Sequence, residues 1–195
     1  MLYVKFIIEE NEKFNDFKKL YNHLVAVRKP DFDFEDEVPE FDWNNMNEKE
    51  MEEALKKIDL ASDKDALELK RYKNVIPEYA NSFFKKYFQI DNDKLGNFGV
   101  QELLSIFNYL EFGFEVDLNN LEIVNNSNGI IEFSTGNFPF GGLERFFITL
   151  KAFSLIPTQC FDGFSVNDIK WETDFEYDFV ELKKETEVYI KKQKC

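Results

Sequence analysis

The apolar residues of this chain change their spacing about halfway along it, and this change constrains the fold more than any other feature. After a short N-terminal apolar run, they recur every three or four residues as far as Leu110, and from Phe112 onward many alternate with polar residues. The first spacing is typical of helices with one buried face, and the second of half-buried strands. The pattern predicts an α+β fold, with a largely helical N-terminal half followed by an antiparallel sheet with packed helices. At 195 residues we expect one compact domain over 1–195.

The helical half contains clear start and stop signals. Residues 2–9 are β-branched and aromatic and predict a strand, which a helix between Asn11 and Val27 follows. A second helix is expected to begin near Asn47, where Glu50 completes a capping box, and to turn Met51, Leu55 and Ile58 to one face. Pro77 is expected to kink or break a third helix that starts after Ser62. Two more helices are predicted, over 98–110 and 143–153.

The second half predicts strands joined by tight turns. Phe112, Phe114, Val116 and Leu118 alternate with polar residues or glycine and predict one strand. Residues 121–124 and 130–133 flank a turn-rich NNSNG stretch and predict two more. A further strand is expected over 164–171, with a bulge between Val166 and Ile169. The C-terminal segment from Glu176 fits a helix better than a strand.

The net charge of the chain limits the classes of partner that it is expected to bind. The chain has 24 Lys and Arg against 38 Asp and Glu, a formal net charge of −14. Such a field repels phosphate backbones and anionic lipid surfaces and attracts cations. We therefore expect no nucleic-acid or membrane partner, and we expect a basic protein partner.

The lack of recognisable targeting signals and the small number of cysteines predict a cytoplasmic protein. Cys160 and Cys195 are too few for a disulfide framework or a metal cluster. The N-terminus lacks the features of a signal peptide, and no apolar stretch is long enough to span a membrane. Abundant Lys, Asn, Ile and Phe beside only three arginines suggest an AT-rich bacterial genome.

Enzyme signatures are nearly absent from the sequence. His23 is the only histidine and has no Cys, Ser or acidic partner at short spacing. Cys160 lies in an apolar context that favours a packed thiol over a nucleophile. The glycines of 135–142 match neither phosphate-loop nor dinucleotide spacing. We expect a non-enzymatic protein with no catalytic residues and no cofactor, and a hydrolase with paired carboxylates is a distant alternative.

An acidic and aromatic stretch lies within the connecting segment predicted over 28–46. Its acids are placed to meet a basic partner while its rings supply anchors, as interface hot spots require. The other interpretation is a solvated loop whose aromatic residues fold back over the core. The candidate partner-binding residues are Asp31, Asp33, Phe34, Glu35, Asp36, Glu37, Glu40, Asp42 and Trp43.

A second motif, DNDKLGNFGVQE at 91–102, resembles the calcium loop of the EF-hand family. Asp91 and Asp93 match its first and third positions, Gly96 the sharp turn, and Glu102 the twelfth. The resemblance implies calcium ligands at Asp91, Asp93, Asn97 and Glu102. Leu95 departs from it, because an oxygen ligand belongs there. The alternative function is therefore a calcium-binding regulator, and a plain connection between two helices explains the same residues without an ion.

The whole chain is small, acidic, soluble and poor in motifs. In these respects it is similar in kind to the immunity proteins that neutralise bacterial toxins, although no motif of a particular family is present. The first expectation is accordingly an interaction module of the immunity or antitoxin type, which binds a cationic partner through the acidic and aromatic stretch.

Overall fold

The computed structural model describes residues 1–34, 41–62, 64–91, 97–114, 117–125, 127–134 and 143–193, without the side chains at 44, 57–62, 64–66 and 97–98. Within these ranges the chain forms an α+β domain, as the spacing of its apolar residues predicts. The helices are α1 (Asn11–Val27), α2 (Glu48–Ser62), α3 (Lys64–Val75), α4 (Glu78–Tyr87), α5 (Asn97–Asn108), α6 (Leu143–Ala152) and α7 (Lys183–Gln193). The strands are β1 (Leu2–Ile8), β2 (Asp117–Asn125), β3 (Asn128–Ser134), β4 (Leu155–Phe161), β5 (Val166–Trp171) and β6 (Tyr177–Glu181).

The helix boundaries follow the predicted signals. The Asn47 side chain accepts a hydrogen bond from the Glu50 amide at 3.0 Å, and the Glu50 carboxylate accepts one from the Asn47 amide at 2.8 Å. This capping box starts α2. Pro77 separates α3 from α4 and has the extended backbone of an N-cap residue. Met51 and Leu55, on the predicted shared face of α2, are exposed, and Ala54 is the buried residue of this helix among those whose side chains are described.

The six strands form one antiparallel sheet in the order β2-β3-β1-β4-β5-β6. The N-terminal strand β1 lies in its interior, between β3 and β4. The β1–β4 register shifts between Lys5 and Phe6, so that Thr158 is an extra residue on β4. Pro157 lies beside this bulge, which is where a proline is tolerated inside a sheet.

Helices cover both faces of the sheet. On one face, which we call the core face, Phe6 contacts Phe14 of α1, and Phe133 contacts Phe146 of α6. On the other face, Tyr3 contacts Tyr189 of α7. The core between the sheet and the N-terminal helices is rich in phenylalanine. Its largest fully buried side chains include Phe6, Phe17, Phe84, Phe107, Phe133, Phe146, Phe147 and Phe153.

Three of the predicted features in the second half are wrong in whole or in part. Phe112 lies in a π-helical turn (Tyr109–Gly113) that continues α5, and Phe114 is not in a strand. Of the other residues of this predicted strand, Leu118 lies in β2 and Val116 is outside the described residues. Strand β5 pairs with β6 in unbroken register, without the expected bulge. The C-terminal segment forms the predicted helix only over α7, because its first part is the strand β6.

Strand β4 is a further element that the sequence patterns did not predict. None of the described helices is long and apolar enough to cross a membrane.

Candidate functional site

The π-helical turn Tyr109–Gly113 places a carboxylate inside the protein. The Glu111 side chain has no exposed surface. Arg71, on α3, approaches it with Nε 3.2 Å from Oε1 and Nη2 3.2 Å from Oε2, a bidentate pair. A buried carboxylate needs such a partner, because leaving its charge uncompensated is costly.

His23 of α1 is the second partner of Glu111. Its Nε2 lies 2.6 Å from Glu111 Oε1. A carboxylate paired with arginine only accepts hydrogen bonds, so Nε2 carries the proton and donates. The His23 ring also stacks on Phe107, with a centroid distance of 5.8 Å, and meets the edge of Phe32 at 5.9 Å. No acidic partner was expected at short spacing, and the one that the structure shows is 88 residues away in sequence.

Arg71 links the buried carboxylate to the acidic and aromatic segment. Its Nη1 donates to the Phe34 carbonyl at 3.4 Å, and its guanidinium lies 5.2 Å from the centre of the Phe34 ring. The Phe34 ring packs against Phe32 at 4.6 Å and against Phe112 at 5.3 Å. The pair of Arg71 and Glu111 therefore holds one end of the segment in place.

Phe112 lies on the same π-helical turn as Glu111, but its side chain is directed outward. It is 59% exposed although it contacts Phe34. Asp31 and Asp33, on either side of Phe32, are exposed as well. We call Asp31, Phe32, Asp33, Phe34 and Phe112 the acidic-aromatic surface.

A small cavity of about 170 Å³ separates this segment from α3. Phe32 and Phe34 line one side, and Arg71 and Asn74 line the other. Asp33 and Lys70 also line it, so charges of both signs surround the cavity.

All three arginines of the chain contact the π-helical turn Tyr109–Gly113 or Phe114, the residue that follows it. Arg28 Nη2 donates to the carbonyl groups of Leu110 at 3.1 Å and Phe114 at 3.3 Å. Arg71 pairs with Glu111, and the Arg145 guanidinium lies 5.5 Å from the centre of the Tyr109 ring. π-Helical turns are rare and are frequently found at functional sites.

The structure places the predicted partner-binding residues in two groups. Asp31 and Asp33 are exposed and Phe34 is half-buried beside Arg71. Asp42 and Trp43 are exposed near the start of a short 3-10 turn (Trp43–Asn45), where the Trp43 ring contacts Phe41 at 5.5 Å. The remaining predicted residues, Glu35, Asp36, Glu37 and Glu40, lie outside the described residues.

The predicted calcium ligands are only partly within the described chain. Asp91 is exposed just after α4, and Glu102 is half-buried in α5. Asp93 and the side chain of Asn97 lie outside the description. Among the described residues, no group of three or more His, Cys, Asp or Glu side chains is placed to hold a metal ion. The calcium site stays a prediction.

Sequence reasoning missed Glu111, Arg71 and Phe112. Nothing in their local pattern brings them together, because the contacts join α3, the π-helical turn and residues 32–34. One usable signal was present: the scarcity of arginine in a lysine-rich chain. Arginine suits buried, bidentate and stacked contacts better than lysine, so a few isolated arginines indicate such positions.

Comparisons with known proteins add no relative to this description. No protein-family model matches the chain, and neither the curated proteins nor the solved structures contain a significant match. The function must therefore be argued from the geometry of this chain.

Proposed function

We propose that the chain is a non-enzymatic interaction module that binds a cationic protein through its acidic-aromatic surface. The observation that carries the proposal is the exposed ring of Phe112, which packs on Phe34. Arg71 in turn holds both the backbone carbonyl and the ring of Phe34. Aromatic side chains at the centre of a surface are the residues that most often dominate binding energy.

Preorganisation supports this function. Glu111 fixes Arg71, and Arg71 fixes Phe34 through a hydrogen bond and a ring contact. A side chain that is already ordered before binding loses less conformational entropy in the complex. The buried charges thus support an aromatic anchor that is ready to bind.

Charge supports a cationic partner. Asp31 and Asp33 are exposed on either side of Phe32, whose ring packs on Phe34, and the chain as a whole carries a formal net charge of −14. Such a field accelerates the approach of a basic protein and disfavours acidic competitors. The acids that follow in sequence, from Glu35 to Asp42, add to the same charge.

The cationic partner that fits best is a basic toxin whose action the chain blocks, as immunity proteins do. This assignment rests on the similarity in kind and on charge complementarity. Inhibition by occlusion needs no catalytic group on the chain.

Photo-crosslinking tests the proposal directly. A benzoylphenylalanine placed at Phe112 would report the partner, and the same group at Phe164, which is 73% exposed on the β4–β5 connection, serves as the matched control. The two variants would be expressed in the organism of origin and crosslinked in living cells. We expect a strongly basic protein to be captured at position 112 and not at position 164.

Charge variants complete the experiment. Asp31→Asn with Asp33→Asn should weaken the crosslink at position 112, because both exposed acids of the acidic-aromatic surface are neutralised. The proposal fails if both positions capture the same proteins, if nothing is captured at position 112, or if the captured protein is acidic.

A further inference from the structure

Helix α7 encloses a groove on the face of the sheet opposite the core face. Its Tyr189 ring contacts Tyr3 at 5.2 Å and Phe161 at 4.7 Å, and Thr186 Oγ1 accepts a hydrogen bond from the Val166 amide at 2.9 Å. Between the helix and strands β1 and β4 lies a groove of about 320 Å³. This volume is in the range of small-molecule sites.

The groove combines an apolar floor with a cationic border. Tyr189 and the exposed Val188 contribute most of its apolar surface, and the Tyr3 ring, only 5% exposed, lies beneath them in the sheet. Three lysines, Lys5, Lys184 and Lys192, line it together with one carboxylate, that of Glu185. Lysines therefore outnumber carboxylates among the lining residues, while Asp168 and Glu132 lie near enough to act electrostatically on Tyr3 and Tyr189.

Gln159 organises the polar side of the groove. Its Oε1 accepts hydrogen bonds from Lys5 Nζ at 2.7 Å and Tyr3 OH at 3.1 Å. Its Nε2 donates to Asp168 at 3.0 Å and to Glu185 at 3.4 Å. The groove carboxylate therefore has the Gln159 amide as a partner, while the Lys5 ammonium is bonded to a neutral oxygen.

The three ammonium groups keep their charge available. Within the part of the chain that the structure describes, none of them lies in an ion pair with a carboxylate. Lys184 and Lys192 are exposed, so they are able to reorient toward a ligand without breaking a buried contact. An ammonium group forms its strongest hydrogen bonds with an anionic acceptor.

We propose that this groove binds an amphipathic anion, a small molecule with an aromatic or aliphatic body and one carboxylate, sulfonate or phosphate group. The body lies on Tyr189 and Val188, and the anionic group meets a lysine at the border, Lys184 or Lys192. The site is on the other side of the sheet from Phe112 and is independent of the partner proposed above.

Two fluorescent probes of similar shape separate anion capture from simple apolar binding. Anilinonaphthalene sulfonate carries the anionic group, and N-phenyl-1-naphthylamine lacks it. Titration of the full chain should give one saturable sulfonate site, and amide chemical shifts should change around Tyr3, Gln159 and Tyr189. The uncharged probe should bind at least about tenfold more weakly, because it cannot accept hydrogen bonds from ammonium groups.

Lysine variants of one helix supply the matched control. Lys184→Gln with Lys192→Gln should weaken sulfonate binding about tenfold, whereas Lys183→Gln with Lys191→Gln, which removes the same charge from α7 outside the groove, should change it less than about twofold. Equal losses in the two double variants, tighter binding of the uncharged probe, or shift changes away from the groove would each overturn the proposal.

Discussion

Arginine and lysine are both cations, but this chain uses them in different places. Its three arginines contact the π-helical turn or its end, and two of them donate to it through their guanidinium groups. The lysines that line the α7 groove are at its exposed border, apart from ion pairs among the described residues. The planar fork of arginine explains this division, since it satisfies several buried acceptors at once.

The pair of Glu111 and Arg71 gives the first prediction at the residue scale. Glu111→Gln keeps the shape of the side chain but leaves the Arg71 guanidinium beside a neutral amide. Breaking a buried pair on one side costs about 3–5 kcal/mol. Urea unfolding should show a loss of this size in the free energy of unfolding, whereas the exposed Glu52→Gln should change it by less than about 0.5 kcal/mol. A loss below about 1 kcal/mol for Glu111→Gln would contradict the role given to the pair.

Cys160 gives a prediction on thiol reactivity. The side chain is fully buried, and burial, with a smaller effect of the Asp162 charge, raises the pKa of the thiol to about 12. In a Cys195→Ser variant, a disulfide reagent at pH 8 should therefore label Cys160 only after unfolding, since the thiolate is the reactive form. Rapid labelling of the folded variant would contradict this, and labelling in urea is the positive control.

The same pKa predicts how stability depends on pH. The thiol pKa is higher in the folded chain than its ordinary value of 9.0. The contribution of the protonated thiol is thus complete below pH 9 and is lost as the pH rises toward 12. The free energy of unfolding should fall over this range, and less steeply in Cys160→Ala.

At the scale of elements, the sequence predicts what is local and misses what is set by packing. The capping box at Asn47 and the break at Pro77 are local, and both are confirmed. Strand β4 contains Pro157, a residue that disfavours the inside of a sheet, and the bulge at Thr158 beside it accommodates the proline. The register of such a strand depends on β1, more than 140 residues away.

The misplaced bulge in β5 has a related cause. The pattern assumes that one face of the sheet is buried, so apolar residues of both parities suggest a bulge. Here Val166 is buried near Thr186 of α7 and Ile169 on the core face, because helices lie on both faces. Helix α7 covers the second face of the sheet, and this explains why apolar residues of both parities are buried in β5.

The capping box gives a prediction at this scale. Asn47→Ala removes the side-chain acceptor at the start of α2 and should lower the free energy of unfolding by about 1 kcal/mol. Asn22→Ala, at an exposed position inside α1, is the control with the opposite sign, since alanine is the better helix former there. Thermal unfolding followed by circular dichroism distinguishes the two. Equal effects of both substitutions would contradict the capping role.

At the scale of the whole molecule, the order of helices and strands was predictable but their arrangement was not. The change in apolar spacing predicts helices first and an antiparallel sheet later, and the α+β fold confirms it. Nothing in residues 2–9 indicates that they form an interior strand between β3 and β4. The acidic and aromatic segment was identified as a candidate, but its anchor on Arg71 depends on that arrangement.

The two proposed sites carry charged side chains of opposite sign. The acidic-aromatic surface packs on α1 and α3 and has exposed acids at Asp31 and Asp33, whereas the α7 groove carries lysines on the opposite side of the sheet. A basic protein and a small anion would therefore bind at separate places, each where the local charge complements it.

The proposed function requires Phe112 to anchor a cationic protein partner. Its most direct test is calorimetric titration of the captured partner with the wild-type chain, Phe112→Ala and Phe164→Ala. We predict that Phe112→Ala weakens binding about 30-fold or more, the loss typical of an interface hot spot, while Phe164→Ala changes it less than about twofold. Equal affinities of the wild-type chain and Phe112→Ala, or an equal loss in both variants, would contradict the claim.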